Sequence, residues 1–486
     1  MPNHPVIIQG GMGVSVSNFR LANAVSKLGQ LGVVSGTALD VVMVRRLQDG
    51  DIGGHIRRAF DQFPFKKMAE RIWQKYFVDG GKKETESYLQ LPMHTKDGPR
   101  ESRELQIISN FVEIFLAKEG HSNPVGINYL EKIQTPHLAS AYGAMLAGVG
   151  YVLMGAGIPM RMPGALDRLA VHETATYPLY VAGATADDDT TMVFDPREYM
   201  ECDLAPLDRP YFFPIIASNT LAITMARKAN GRVDGFVIEG PTAGGHNAPP
   251  RGKLQLNEIG EPVYGERDVV DLAKMRELGL PFWLAGSYGS PERLAEALSD
   301  GAAGIQVGTA FAYSNESGMG AEYKAAVIAM AKESKARVYT DRLVSPSGFP
   351  FKVAQVPGTI SDPAVQKARP RICDLGYLRE AYKSPEGEVA FRCPSEPVSI
   401  YLSKGGKEED TVGRACICNA LMATAGHPQI RAGKHLEAAV VTSGDEVALL
   451  ARYIPEGADS YNAEHVINVL LSGVQTVGAA SKSHES

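Results

Sequence analysis

The chain has 486 residues, of which 44% are hydrophobic and 21% charged, so it can bury a large core and is not a disordered protein. Its 49 basic and 55 acidic side chains give a net charge of −6, which argues against a nucleic-acid-binding protein, because such proteins carry a basic face. Five cysteines form an odd set in a chain too long to need disulfides, which favours a reducing, cytoplasmic location.

Eight short apolar runs recur along the first 330 residues, and a helix-like or longer segment follows each of them. Their hydrophobicity is continuous, which is typical of strands buried on both faces of a parallel sheet. We therefore predict an α/β fold, a (β/α)8 barrel over about residues 1–330, with a doubly wound open sheet as the alternative. The predicted strands are Val6–Gln9, Leu31–Ser35, Val125–Tyr129, Tyr151–Met154, Pro214–Ser218, Gly235–Glu239, Phe282–Ala285 and Gly304–Gly308. The predicted helices between them are Ser17–Leu28, His137–Leu146, Leu221–Ala229, Asp268–Leu278 and Pro291–Ser299, the last with Ser290 as its N-cap.

Two insertions and one extension depart from this alternation. Residues 60–122 are predicted to be helical, and residues 178–210 to form an inserted hairpin. The extension, residues 331–486, is predicted to be rich in helix and to pack on the barrel, with closing helices over Thr411–Ala425 and Ala463–Leu471. One apolar stripe marks an otherwise polar helix in the first insertion: Leu105, Ile108, Val112, Phe115 and Leu116.

The segment from Leu138 to Met160 contains no charged residue and is long enough to cross a bilayer. Several glycines interrupt it and Pro159 lies near its end, so we interpret it as a buried helix, a turn and a buried strand. No membrane association is predicted.

Glycine-rich loops follow the ends of four predicted strands. Gln9–Gly13 follows the first, Glu239–Asn247 the sixth, Ala285–Gly289 the seventh, and Gly308-Thr309 the eighth. Phosphate sites in such barrels are commonly built by the loops after strands seven and eight together with a helix N-terminus. The order of these loops predicts a phosphate-bearing ligand at one end of the barrel.

One histidine, His246, belongs to these glycine-rich loops, because it directly follows Gly244-Gly245 after the sixth predicted strand. Imidazole titrates near neutrality and can accept an acidic α-proton or donate to an oxyanion. The other histidines, including His484, lack such a context and are predicted to be surface or packing residues.

Four of the five cysteines lie in the extension: Cys373, Cys393, Cys416 and Cys418. They are numerous enough for zinc or an iron–sulfur cluster, but their spacing lacks the paired pattern of such sites. Cys416 and Cys418 are expected to diverge on a helix. We predict buried thiols that pack as small hydrophobic groups, with no bound metal.

The ordered motifs resemble those of the nitronate monooxygenase (2-nitropropane dioxygenase) family over about residues 1–320. The matching motifs are Ile8–Met12, Val125–Asn128, Ala243–His246 and Gly304–Thr309. The resemblance implies an FMN-dependent (β/α)8 barrel. FMN-dependent enoyl thioester reductases share the same pattern, so the resemblance specifies the cofactor more closely than the reaction.

The resemblance also implies roles for individual residues. Gly11 and Met12, followed by Gly13, would lie against the isoalloxazine ring, and Asn128 would bond the edge of the flavin. Glu239 stands at the place of a further polar contact, and Ser218 where some members have a lysine. His246 matches the active-site histidine, which acts as a base or orients the substrate. The phosphate end would be held by Gly244, Gly245, Gly286, Ser287, Gly308 and Thr309.

The leading functional hypothesis is an enzyme that oxidises alkyl nitronates with O2 to a carbonyl compound and nitrite, without a metal. One alternative is an FMN-dependent enoyl-ACP or other enoyl thioester reductase that uses NAD(P)H. Another is a non-catalytic flavin-binding subunit of a larger assembly. The expected partners are a small-molecule substrate and O2, with no nucleic acid, and the helix-rich insertion is compatible with a homodimer.

Overall fold

The computed structural model of the protein describes residues 4–431 and 435–482, so His484 lies outside the described residues. Its centre is a closed barrel of eight parallel strands, each paired with its neighbours in chain order and the last with the first. This confirms the predicted (β/α)8, or TIM, barrel. The barrel strands are β1 Ile7–Gln9, β2 Leu31–Ser35, β3 Val125–Leu130, β4 Tyr151–Gly155, β5 Tyr211–Ile216, β6 Phe236–Glu239, β7 Phe282–Ala285 and β8 Gly304–Val307.

Seven strands lie within one residue of the predicted bounds, but the prediction for the fifth was wrong by three residues at its start. Strand β5 already begins at Tyr211, whose backbone N–H donates to the Gly150 carbonyl at 2.9 Å. Pro214 therefore lies inside the strand. Ser218 lies beyond it, because its hydroxyl caps the following helix.

Large side chains fill the interior of the barrel. Phe213 and Trp283 stack there with ring centroids 4.9 Å apart, and both are completely buried. A filled interior is usual for this fold and leaves the carboxyl ends of the strands as the place for a ligand. The other members of this inner cluster are Ile8, Leu31, Val33, Tyr151, Leu153, Val237 and Ala285.

Sixteen α-helices surround the barrel and continue into the extension within the described ranges. Two of them have the predicted bounds, and the hydroxyl of Ser290 accepts the N–H of Arg293 as the expected N-cap. The helices are α1 Phe19–Lys27, α2 Leu39–Gln48, α3 His55–Gln62, α4 Lys66–Tyr76, α5 Arg100–Ala117, α6 His137–Leu146, α7 Met162–Ala170, α8 Asn219–Lys228, α9 Leu272–Glu277, α10 Pro291–Ser299, α11 Thr309–Ala312, α12 Ala321–Lys332, α13 Pro363–Ala368, α14 Val398–Ser403, α15 Ile417–Thr424 and α16 Ala463–Lys482.

Helix α5 differs from the expectation of one apolar stripe on a polar helix. It is buried on nearly all sides, and polar residues such as Gln106, Asn110 and Glu113 are buried as well. The reason is its position: α5 is the crossover between β2 and β3, and α1, α2, α3 and α6 all pack on it. The approach of α6 is so close that a Cβ on Gly143 would lie 2.0 Å from the Ile107 carbonyl oxygen.

The second insertion contains the predicted hairpin, formed by strands Ala175–Pro178 and Thr191–Phe194. The segment from Leu138 to Met160 contains α6, a turn and β4, as predicted. In the described part of the chain, no helix has the length and apolar character needed to span a membrane.

The extension contains helices, as predicted, and also short strands that the sequence did not indicate. Phe351–Ala354 pairs with Val338–Asp341 on one side and with Gly245–His246 of the barrel loop on the other. Two further antiparallel pairs join Glu380–Lys383 to Val389–Arg392 and Ile430–Arg431 to His435–Leu436. The division of the chain into domains near residue 330 stays a prediction.

The closing helices of the extension were predicted with inexact bounds. The predicted helix Thr411–Ala425 was wrong in its first part, because a 3₁₀ helix ends at Thr411 and Gly413 has a φ of +72°. The Ala415 N–H then donates to the Val344 carbonyl at 2.9 Å instead of to a helical turn. Helix α16 begins as predicted and continues eleven residues further.

Candidate active site

A cavity of about 310 Å3 lies at the carboxyl ends of the barrel strands. That volume is within the range of ligand pockets, about 300–1,000 Å3. All eight strand ends contribute to its wall, and segments of the extension, including Phe349, Tyr377 and Thr442, complete it. Active sites of this fold occupy the same end of the barrel, so the cavity is the candidate active site.

The structure brings the predicted site residues together at this cavity, with one exception. Ser218 is not in the cavity wall, because its hydroxyl accepts the N–H of Leu221 at 3.1 Å as the cap of helix α8. The predicted residues that line the cavity are Gly11, Met12, Gly13, Asn128, Glu239, Gly244, Gly245, His246, Gly286, Ser287, Gly308 and Thr309.

The turn after β1 brings backbone directly against β3. A Cβ on Gly11 would lie 2.5 Å from the Cβ of Asn128, which is closer than real Cβ atoms approach. Only glycine fits this position without displacing Asn128. The turn therefore leaves a smooth backbone surface beside the amide of Asn128.

Three amide side chains that line the cavity each have an oxygen atom without a hydrogen-bond partner among the described residues. The Oδ1 atom of Asn128 and the Oε1 atom of Gln306 are buried and have no hydrogen-bond partner among the described residues. Both residues line the cavity, as does Asn247, whose Oδ1 atom is also buried and has no hydrogen-bond partner among the described residues. Buried polar atoms are normally hydrogen-bonded, so the three oxygens indicate a ligand that offers donors. Gln306 was not predicted as a site residue, although it belongs to the motif at the eighth strand.

The loops after β7 and β8 both line the cavity. Gly286 and Ser287 have consecutive φ angles of +90° and +57°, a conformation that is strained for serine. Both residues lie in the loop that leads to the N-terminus of helix α10, and helix N-termini attract anions. Thr309 also lines the cavity, and its hydroxyl accepts the N–H of Gly444 at 2.9 Å.

A carboxyl group borders this region. The Oε1 atom of Glu446 accepts the N–H of Gly289 at 2.8 Å, and Glu446 lines the cavity. Burial raises the pKa of Glu446.

His246 lies in the short strand that pairs with Phe351–Ala354, and its ring packs on Phe351 with centroids 4.8 Å apart. Its Nε2 atom is 2.7 Å from the hydroxyl of Ser345. The chain of contacts continues over 2.8 Å to the hydroxyl of Ser347, which accepts from Lys132 Nζ at 3.4 Å. Burial, and secondarily the charge of Lys132, holds the pKa of His246 well below its ordinary value, so the ring is neutral.

Lys132 and Glu239 influence each other electrostatically, with Glu239 in the cavity wall and Lys132 behind it. Burial lowers the pKa of Lys132 to about 7 and raises the pKa of Glu239 to about 7, and each partially favours the charged form of the other. The Lys132 ammonium also lies 3.7 Å from the ring centroid of Phe349. Lys132 was not predicted as a site residue. The sequence indicates it only by a charged side chain two positions after the end of β3.

One wall of the cavity is apolar. Its residues come from the loops after β1, β2 and β3 and from the extension, and they pack as one cluster. Such a surface accommodates a hydrocarbon group. Its members in the cavity wall are Val14, Ala38, Leu130, Ile133, Tyr377, Leu378, Cys418 and Leu421.

Within residues 4–431 and 435–482, no group of three or more His, Cys, Asp or Glu side chains has an arrangement that would hold a metal ion.

Among the solved structures that resemble this chain, three of low sequence identity illustrate the likeness. FabK from Thermotoga maritima is 16% identical with a TM-score of 0.48, over 99% of this chain and 96% of that chain. Nitroalkane oxidase from Streptomyces ansochromogenes is 15% identical with a TM-score of 0.45, over 98% and 97%. The enoyl reductase domain of MlnA, from the macrolactin cluster of Bacillus amyloliquefaciens, is 12% identical with a TM-score of 0.47, over 99% and 96%. At these values the three likenesses carry no information about the reaction.

Sequence comparison gives one family match. No curated protein matches the chain significantly. The family model for nitronate monooxygenase matches residues 206–344, which contain β5 to β8 and the loops around His246 and Gly308. Over this stretch the match confirms the resemblance predicted from the motifs: the chain is similar to the nitronate monooxygenases, which are FMN-dependent oxidoreductases.

Proposed function

We propose that the protein oxidises alkyl nitronates with O2, using FMN, and releases a carbonyl compound and nitrite. The observation that carries this proposal is the composition of one cavity. It combines the unpartnered amide oxygens of Asn128 and Gln306 with a neutral His246 that has Lys132 behind it.

The residues present fit FMN. Gly11 offers flat backbone for a planar ring, and the oxygens of Asn128 and Gln306 can accept hydrogen bonds from its edge. Gly286-Ser287, in the loop that leads to the N-terminus of helix α10, would bind the phosphate. When bound there, FMN supplies the capacity to accept electrons from an organic substrate and pass them to O2.

The electrostatics favour an anionic substrate. A histidine whose pKa lies well below its ordinary value is a weak base, so it is poorly suited to remove a carbon-bound proton. A neutral imidazole can still donate a hydrogen bond to an oxyanion, and protonated Lys132 adds positive potential. A nitronate already carries the negative charge that a neutral nitroalkane would first have to acquire. We therefore propose that His246 orients the nitronate oxygens and that ionisation of the nitroalkane precedes binding.

The apolar wall supplies the place for the alkyl group. The cavity is lined on this side by Val14, Ile133 and Leu421, so a linear alkyl chain can be buried against them. Each buried methylene contributes about 0.8 kcal/mol to binding. Longer nitronates should therefore have lower KM values until the wall is filled.

The test is a pair of measurements on the flavin-loaded protein. With a pre-ionised alkyl nitronate and O2, we expect oxygen consumption with nitrite release. Without oxygen, we expect slow bleaching of the flavin by NADH or NADPH and rapid bleaching by the nitronate. Rapid reduction by NADPH without nitrite formation would replace the proposal with the enoyl thioester reductase. Inertness towards every donor would support the non-catalytic flavin-binding subunit.

A further inference from the structure

Asn247 is the third amide side chain of the cavity wall, and the proposed function leaves its oxygen unused. The residue is buried, with 2% of its surface exposed, and it lines the cavity. Its Oδ1 atom has no hydrogen-bond partner among the described residues. Buried amide oxygens are normally hydrogen-bonded, so this atom indicates a donor group on the ligand of the cavity.

The loop after β6 fixes the orientation of the Asn247 amide. Its Nδ2 atom donates to the Ala243 carbonyl at 3.0 Å, and a carbonyl can accept only from the nitrogen of the amide. The backbone N–H of Asn247 donates to the Pro350 carbonyl of the extension at 2.9 Å. The nitrogen of the side chain is therefore engaged, and the oxygen is the atom that is left to bind a ligand.

Ala243 connects Asn247 to the predicted phosphate loop. A Cβ on Gly286 would lie 3.3 Å from the backbone nitrogen of Ala243 and 3.1 Å from the carbonyl oxygen of Gly240. The loops after β6 and β7 are therefore in direct contact. Asn247 is thus bonded to a loop that touches Gly286.

The other two unpartnered amide oxygens belong to residues beside the turn after β1. A Cβ on Gly11 would lie 2.5 Å from the Cβ of Asn128, and a Cβ on Gly10 would lie 3.4 Å from the Cγ of Gln306. The proposed flavin site has the ring at this turn and the phosphate at Gly286-Ser287. The ribityl chain of FMN joins the ring to the phosphate, and its hydroxyls are the hydrogen-bond donors between them.

We propose that the Oδ1 atom of Asn247 accepts a hydrogen bond from a ribityl hydroxyl of FMN. The inference rests on FMN as the cofactor of the proposed function, but not on the oxidation of nitronates. An alkyl nitronate has acceptor oxygens and no N–H or O–H group, so it does not match an acceptor on the protein. Asn247 therefore makes the cavity selective for flavins that carry a polyol chain.

The experiment measures the affinity of the full-length protein for FMN, riboflavin and lumiflavin, after bound flavin has been removed by dialysis. Riboflavin lacks the phosphate, and lumiflavin lacks both the phosphate and the ribityl chain. Quenching of flavin fluorescence gives each Kd. Asn247→Ala should raise the Kd about five- to tenfold for FMN and by the same factor for riboflavin, as expected for one hydrogen bond, and should leave the Kd for lumiflavin unchanged. Asn315→Ala is the matched control, because Asn315 is exposed and lies outside the cavity wall.

Every other pattern of affinities overturns the proposal. A loss confined to FMN would mean that the variant disturbs the phosphate loop through Ala243, and an equal loss with all three flavins would mean that it disturbs the ring site. Unchanged flavin affinities with a raised KM for a hydroxyl-bearing nitronate would assign the oxygen to the substrate. These results leave the proposed oxidation intact, which fails instead if flavin-loaded wild-type protein consumes no O2 with a nitronate.

Wild-type protein gives a second test that does not depend on the folding of a variant. FMN analogues that each lack one ribityl hydroxyl are titrated in the same way. We expect one analogue to bind about five- to tenfold more weakly than FMN, and we expect this difference to vanish in Asn247→Ala. Equal affinity of the wild-type protein for FMN and for every analogue would overturn the proposal.

Discussion

The Nε2 atom of His246 lies 2.7 Å from the hydroxyl of Ser345, so a barrel loop and the C-terminal extension share the candidate catalytic group. Ser345 is completely buried and is held in turn by Ser347 at 2.8 Å. The extension thus fixes the orientation of a histidine that the barrel supplies. Its role is to position the ring, since Ser345 itself is not in the cavity wall.

Replacing His246 by alanine should remove the group that orients the nitronate. We expect flavin content to stay nearly unchanged, because the backbone around Gly244-Gly245 remains. Removal of one donor to a developing or bound oxyanion typically costs about 10²–10³-fold in kcat. Because no proton is removed from carbon, the loss should be equal for a pre-ionised nitronate and for the nitroalkane pre-equilibrated at the same pH. A much larger loss with the neutral nitroalkane would show that His246 acts as a base.

Ser345→Ala should reduce activity less than His246→Ala, because it removes only the hydrogen bond that holds the imidazole ring. Loss of one hydrogen bond is worth about 1 kcal/mol, so kcat should fall about five- to tenfold while flavin binding is retained. Ser345→Thr keeps the hydroxyl and should recover part of the rate. Identical activity of Ser345→Ala and wild type would mean that the extension does not position the ring.

The pH dependence should reflect Lys132 and Glu239. The raised pKa of Glu239 means that its carboxyl is neutral below about pH 7 and negative above it. The lowered pKa of Lys132 means that its ammonium is positive below about pH 7 and neutral above it. Both changes make the wall more negative as the pH rises, so kcat/KM for an anionic nitronate should fall through pH 7, with the pair titrating as one unit.

Variants of this pair separate the two contributions. Lys132→Met should lower kcat/KM at pH 6 and flatten the profile, whereas Glu239→Gln should preserve activity at pH 8. Initial rates with freshly diluted nitronate give both profiles. Lys228→Met, at the exposed end of helix α8, is the matched control and should follow wild type. Profiles of both active-site variants that match wild type would contradict the assigned role.

A methyl group at Gly11 should impair flavin retention. The new Cβ would lie 2.5 Å from the Cβ of Asn128, so either the turn or Asn128 must move. We expect Gly11→Ala to purify with little flavin and to need at least tenfold more FMN for half-saturation. Gly265→Ala is the control, because a Cβ there meets nothing within 4 Å. Fluorescence titration with FMN measures both, and equal affinities would place the flavin elsewhere.

A methyl group at Gly143 should destabilise the fold without touching the cavity. Its Cβ would lie 2.0 Å from the Ile107 carbonyl oxygen, which forces α5 and α6 apart. Overpacking of this kind typically costs about 1–3 kcal/mol of unfolding free energy. Urea unfolding followed by circular dichroism gives the value, with Gly265→Ala again as the reference. A midpoint equal to that of wild type would show that the two helices can separate freely.

Much of the barrel could be predicted because each β/α unit leaves a local signature. Strands buried on both faces, such as Leu31–Ser35, must be continuously apolar, and a cap such as Ser290 marks where a helix begins. Glycines at the strand ends indicated the cavity for the same local reason. Strand β5 is the exception, because the sequence predicts its start at Pro214, whereas the strand already begins at Tyr211.

The rest depends on contacts that are distant in sequence. The hydrogen bond of His246 spans 99 residues, and Lys132 reaches Ser347 across 215, so no local spacing indicates either of them. The strands of the extension are four residues or shorter and draw their stability from partners such as Gly245–His246.

The most direct test of the central claim is the absorbance spectrum of the purified protein, combined with the mass of whatever heat denaturation releases. The account predicts flavin bands, release of the chromophore into solution on denaturation, and a mass equal to FMN at about one per chain. A colourless protein that takes up no added FMN, or one that releases FAD instead, would contradict it.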